Sequence, residues 1–188
     1  MVLLFVPDQQ LVVAAWIAIT VVILGFGLLE RRIFGPALES AGQLWQVFWV
    51  GVALLLCTLQ LWHAFAPIDD RTRMAAAAVA AAGWLAAGLA PWRAIFRSLP
   101  RSLPGIAASL ACALWLSNQC LGGPRFGDTG LYLIPSVHWA ESYAVVPGIA
   151  NLFVPLGYNI SYFLFGALID TGPFSHRIYP IINSSILV

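Results

Sequence analysis

Long runs without Asp, Glu, Lys or Arg alternate along this chain with short segments that hold nearly all of the charge. Leu11–Leu29 is 19 residues, Leu44–Ala66 is 23, Met74–Ala90 is 17 and Leu103–Leu121 is 19. An α-helix rises 1.5 Å per residue, so about 20 residues cross a hydrocarbon core of roughly 30 Å. Each run is therefore predicted to be a membrane-spanning helix. A fifth uncharged run, Ser142–Ile169, is interrupted by Pro147 and Pro155, and only Leu156–Ile169 is predicted to enter the membrane as helix. A sixth begins near Ile178 and reaches Val188 after 11 residues, about half a span. The expected fold is all-α: a polytopic transmembrane bundle of five spans plus the start of a sixth. Residues 1–121 form a four-span bundle. Residues 122–188 supply an outer interfacial loop with a short amphipathic helix, the fifth span and the start of the sixth.

Charge sets the orientation. The opening MVLLFVPDQQ has no basic residue and the apolar run behind it is full length, so the first segment reads as a span and not as a cleaved secretory signal. Arg31 and Arg32 separate the first two spans, and Arg93, Arg97 and Arg101 separate the third and fourth. Asp69, Asp70, Arg71 and Arg73 lie between the second and third, and Arg125 follows the fourth. Basic residues accumulate in cytoplasmic loops. Placing the first and third loops inside, with Arg177 joining them after an inward fifth span, puts six basic residues inside against three outside. The N-terminus and residues 122–155 are then on the outer face.

Composition agrees. The chain is 61 % hydrophobic and 9 % charged, with a mean hydropathy of +0.87, whereas a soluble domain runs nearer 45–50 % apolar and about 25 % charged. A formal net charge of +1 leaves no nucleic-acid footprint. Cys57, Cys112 and Cys120 lie within apolar runs without metal-binding spacing. Cys112 and Cys120 stand about 12 Å apart on one helix, too far to bridge. Met74–Ala90 is mostly Ala and Gly, and small side chains let helix backbones approach closely in lipid. That span is expected to be interior to a bundle, or to carry other membrane subunits packed against it.

The candidate chemistry concentrates after the fourth span. Asp128 follows Gly127, and Tyr132, His138, Trp139, Glu141 and Tyr143 come next. The last four sit on one short predicted helix, with His138 and Glu141 three apart and so on one face. Carboxylates, aromatics and turn residues at an interface exceed what a connector needs. His63, near the outer end of the second span, is a candidate axial ligand for a haem or chlorin. Each candidate also has a structural reading. Asp128 could terminate a helix, Glu141 could be an interfacial surface acid, and His63 a hydrogen-bonded packing residue. Trp45, Trp49, Trp62, Trp84, Trp92, Trp115 and Trp139 mostly fall where an aromatic belt would place them.

DTGLY at 128–132, WAESY at 139–143, VVPGIANL at 145–152 and LGYNISYFL at 156–164 together resemble the first outer loop of GT-C-type bacterial membrane proteins. The resemblance covers residues 128–188 well and the preceding spans in outline. It implies a bacterial inner-membrane, multi-pass protein that transfers sugar from a polyprenyl-phosphate donor at the outer face. It also implies Asp128 as general base or ligand of a divalent metal, with Glu141 as a second catalytic carboxylate. Tyr132, His138 and Arg125 would contact substrate. The activating chemistry is ordinary: an acceptor hydroxyl is a poor nucleophile until a carboxylate takes its proton. This chain departs from the pattern at Leu133 and at Asn151-Leu152-Phe153, where polar residues are expected, and it ends before the several further spans of such proteins.

Two function classes follow. One is the N-terminal membrane module of a lipid-linked-sugar transferase. The other is a non-catalytic subunit of a larger membrane complex, photosynthetic or respiratory for example, holding lipid or pigment. Both share one topology. A single cysteine introduced at Arg97 in a cysteine-free background is expected to resist an impermeant thiol reagent in intact cells. Labelling there would invert the orientation.

Overall fold

The computed structural model describes residues 6–35, 41–99, 102–120, 129–158, 161–172, 175, 181, 182 and 184. Every regular element among them is helical. Helix α1, Val6–Phe34, extends beyond the first apolar run at both ends, and helix α2, Ala41–His63, starts before the second run and stops three residues short of its end. Both are long and apolar enough to cross a membrane. Helix α3, Asp70–Ala87, begins at Asp69, whose carboxylate accepts from the backbone N–H groups of Arg71 and Thr72 at 3.0 and 3.3 Å. It ends at Gly88, which takes φ 64°, a left-handed value that glycine adopts at no steric cost.

Helix α4, Ala90–Ser98, leaves that turn at 87° to α3. Of the arginines expected in a plain loop, Arg93 and Arg97 thus sit on a helix of their own, started by Pro91 in its first turn, and Arg101 lies outside the described residues. If α3 and the bent α4 count as one span, the described residues hold three helices able to cross a membrane. Helix α5, Leu103–Gln119, starts at Ser102, whose hydroxyl caps Gly105. Its 17 residues reach about 25 Å, at the short end of what spans a bilayer.

After α5 the chain departs most from expectation. A π-helical turn, Thr129–Leu133, leads into helix α6, Ile134–Ser142. Short 3₁₀ turns follow at Ile149–Asn151 and Val154–Gly157, then helix α7, Ser161–Ile169. The expected fifth span, Leu156–Ile169, is therefore a helix of nine residues, about 14 Å long and half of what a crossing requires. Its start is tied to α2, where the Gln60 amide donates to Ser161 Oγ at 2.8 Å. Its end is tied to the first turn of α3 through Arg73. Between these anchors it lies in the groove of α1, α2 and α3, and Phe163, Leu164, Phe165, Ala167 and Leu168 are buried. Ile181, Ile182 and Ser184 join the same core, and the Trp16 indole donates to Ser184 Oγ at 2.8 Å. The residues after the fourth predicted span thus pack into the bundle built by the earlier ones.

Helix α1 is the centre, with α2 and α3 against it. Their approach is set by backbone. A β-carbon on Gly83 would overlap the Gly25 carbonyl, one on Gly51 the Ile23 carbonyl, and one on Gly27 the Val47 carbonyl. The small-residue span is expected to be interior, but only one face of it is covered, by α1; Met74, Ala77, Ala81 and Leu85 on its other side are exposed. Thr72, Ala76, Ala80 and Gly83 are its buried stripe. Gly88 acts differently, since a side chain there would meet open space and only the positive φ resists substitution.

These two glycines give different expectations. Gly83→Ala already forces backbone apart and is expected to lower the melting temperature in detergent sharply, overpacking costing about 1–3 kcal/mol or more. Gly88→Ala meets no atom within 4 Å and strains only its own backbone at φ 64°, ψ −134°, so it is expected to lower the melting temperature less than Gly83→Ala does. Equal effects would contradict this packing.

Candidate functional site

Arg73 occupies the first turn of α3, where the helix dipole disfavours a cation. Partners elsewhere offset that. Its Nε donates to the Leu168 carbonyl at 3.1 Å, and Nη2 faces the Ala167 carbonyl at 2.8 Å, the Asp170 carbonyl at 3.1 Å and Glu141 Oε1 at 3.0 Å. Nη1 donates to the exposed Asp70 carboxylate at 2.8 Å. The Ala167 and Leu168 carbonyls belong to the last turn of α7 and have no partner within their own helix. One guanidinium thus caps α7, pairs with α6 and fixes both to α3.

Helix α6 is held over that junction by backbone as well as charge. The Ile68 N–H donates to the Ala140 carbonyl at 2.8 Å, and the Val145 N–H to the His63 carbonyl at 3.0 Å. Val137 and Ala140 are buried against the core that includes α7. His138 and Glu141 share the face predicted from their spacing, with Nδ1 and Oε2 3.2 Å apart. Glu141 is no surface acid: its side chain is 21 % exposed and bonded to Arg73 and His138. Burial raises its carboxyl above the ordinary value, and nearby Asp170 raises it further. The hydrogen bond from His138 and the positive charge of Arg73 act the other way.

Asp170, just past α7, is 6 % exposed. It completes a group in which His138, Glu141 and Asp170 each bring one potential ligand atom within 4.8 Å of the others. An imidazole with two carboxylates, two of the three largely removed from water, is a donor set that suits a divalent cation. Without one, Nδ1–H can donate to ionised Glu141.

On its neighbouring face α6 borders a cavity of about 300 Å³. Ser136, Trp139 and Ala140 form one wall, and the loop carrying Val145, Val146, Gly148 and Tyr158 forms another. His63 also lines it. His63 Nδ1 and Ser136 Oγ are both buried without a hydrogen-bond partner, an uncommon condition for buried polar atoms. Tyr132 stands outside the cavity lining, in edge contact with Tyr158 at 6.3 Å. A second, almost wholly apolar crevice of about 230 Å³ runs between α1, α3 and α7, with Arg73 at one end.

Asp128 and Arg125 lie outside the described residues. The structure brings His138 and Glu141 together, and His63 to the adjoining cavity. Sequence reasoning missed Arg73 and Asp170. A usable signal existed for each: a cation in the first turn of a helix needs an external partner, and Asp170 closes a stretch that runs only from Leu156, after Pro155, and falls short of span length.

The chain matches, over residues 10–188, the family described as a domain of unknown function, DUF8201, and belongs to it. No curated protein and no solved structure matches it.

If Arg73 holds α3, α6 and α7 together, Arg73→Ala strands Glu141 and the α7 carbonyls. Breaking such a partly buried pair is expected to cost about 3–5 kcal/mol. Arg73→Lys should recover little of it, because an ammonium cannot span this fork. Thermal unfolding in detergent measures both variants.

Proposed function

We propose that this DUF8201 member is a membrane module similar to the N-terminal part of a GT-C-type glycosyltransferase, working on a lipid-linked sugar at the outer face of a bacterial inner membrane. The observation that carries this reading is the convergence of His138, Glu141 and Asp170 donor atoms within 4.8 Å, on the segment where the resemblance lies. In this reading α1, α2, α3 and α5 cross the membrane, with the N-terminus outside and Arg31, Arg32, Arg93 and Arg97 inside. Helix α7 enters halfway from the outer side. The loop before α3 and the segment around α6, both assigned outside on charge alone, hydrogen-bond to each other, which supports their lying on one side of the membrane.

When bound, a divalent cation would neutralise the phosphate of the donor. Glu141 and Asp170 would hold it with His138, and Arg73 fixes the position of Glu141. The neighbouring cavity, with Trp139 in its lining, offers an aromatic wall that a sugar ring can stack on. Asp128 remains the candidate base on the strength of the resemblance. A second reading, a non-catalytic subunit of a larger complex, draws on α5, which leaves Leu103, Leu110, Leu114 and Trp115 exposed.

Titration of the reconstituted protein with Mn²⁺, followed by electron paramagnetic resonance, separates the two. The transferase reading expects a bound ion whose affinity falls by at least about tenfold in Asp170→Asn or Glu141→Gln, with transfer from a polyprenyl-phosphate hexose reduced about 10²-fold. Unchanged Mn²⁺ binding and no transfer in wild type would leave the subunit reading. Deleting 139–151 should then release the chain from its complex.

A further inference from the structure

Helix α4 divides into three sectors. At about 100° per residue, Pro91, Ala94 and Ile95 form one side, Trp92 and Phe96 a second, and Arg93 and Arg97 a third, each roughly 100–130° from the next. The first side faces the protein: Pro91 and Ala94 are buried and Ile95 is half-buried. The other two are open. Trp92 is 46 % and Phe96 66 % exposed, and both arginines are exposed. No acidic residue occurs on the helix.

A loop connecting two helices in water has no reason to expose a large aromatic pair. A helix lying in the plane of the membrane surface has three surroundings of this kind: protein beside it, acyl chains below and headgroups above. The 87° bend from α3 sets α4 across the direction of the spans. That bend is held at Gly88 by its left-handed φ, and by Trp84, which packs on Trp92 at 4.9 Å and donates to the Val21 carbonyl. Helix α4 is thus fixed at the end of the bundle, with its aromatic sector directed away from its arginine sector.

We infer that α4 is an in-plane anchor that binds the phosphates of anionic phospholipids through Arg93 and Arg97, with Trp92 and Phe96 among the acyl chains. Charge complementarity selects the occupant. Two arginines one turn apart, uncompensated by any acid on the helix, favour an anionic headgroup over a zwitterionic one, and guanidinium pairs with phosphate oxygens in a two-pronged geometry. An acidic partner protein would want the arginines but would leave the aromatic sector in water.

The full chain in detergent, titrated with phosphatidylglycerol or phosphatidylcholine and read by native mass spectrometry, tests this. Wild type should retain phosphatidylglycerol preferentially. Arg93→Gln and Arg97→Gln should each reduce that preference about fivefold, and the pair about thirtyfold. Trp92→Ala should weaken retention of both lipids, because it removes the apolar contact and not the charge. Soluble glycerol phosphate should not compete at concentrations where phosphatidylglycerol saturates, since it lacks the acyl chains. Equal retention of the two lipids by wild type would overturn the proposal, as would an undiminished preference in a double variant that melts like wild type.

Discussion

The Arg73 guanidinium is the interaction on which the junction of α3, α6 and α7 depends. It stands at the wrong end of a helix for a cation, and only the acceptors around it make the position tenable. Two of them are the carbonyls that end α7. In apolar surroundings each unsatisfied carbonyl would cost about 1–3 kcal/mol. Helix α7 can therefore stop halfway across the apolar groove because another helix supplies the donors that lipid cannot. The same side chain neutralises Glu141 and so lets α6 lie across α7 with two carboxylates close by. The short α7 and the acidic cluster have one cause.

The membrane-spanning part follows from a different constraint. Helices in lipid gain no hydrophobic drive from meeting each other, so close van der Waals packing must hold them. Gly25, Gly27, Gly51 and Gly83 let α2 and α3 approach α1 until backbone meets backbone. The large exposed side chains, among them Trp45, Leu61, Leu85 and Leu114, remain on the outside of this trio, where acyl chains are their natural surroundings.

Counting uncharged runs made α1, α2, α3 and most of α5 legible, because each is a single continuous helix and length alone identifies it. The pairing of His138 with Glu141 was legible from helical spacing. The same counting hid three things. It assigns every charge to a loop, so Arg73 read as a connector residue although it points back into the bundle. It read Arg93 and Arg97 as loop charge, although their four-residue spacing alongside Trp92 and Phe96 is a helical pattern. It also extended α7, since nothing in an apolar run reveals that its two ends are anchored to the same side. Asp170 was overlooked because its partners are remote in sequence and only the tertiary fold brings them near.

The glycine contacts also decide where this protein can deform. A contact between a glycine and a carbonyl has no rotamers to exchange, so α1, α2 and α3 cannot slide past one another by repacking side chains. They form a stiff block. Helix α6 is close-packed on that block through Val137 and Ala140, whereas the loop after it, residues 143–158, buries no side chain and is held by hydrogen bonds such as that from the Val145 N–H to the His63 carbonyl. Compliance is thereby concentrated in the cap over the 300 Å³ cavity. Any ligand admitted there would enter past that loop, over a wall that the Arg73–Glu141 pair and the packing of α6 hold in place.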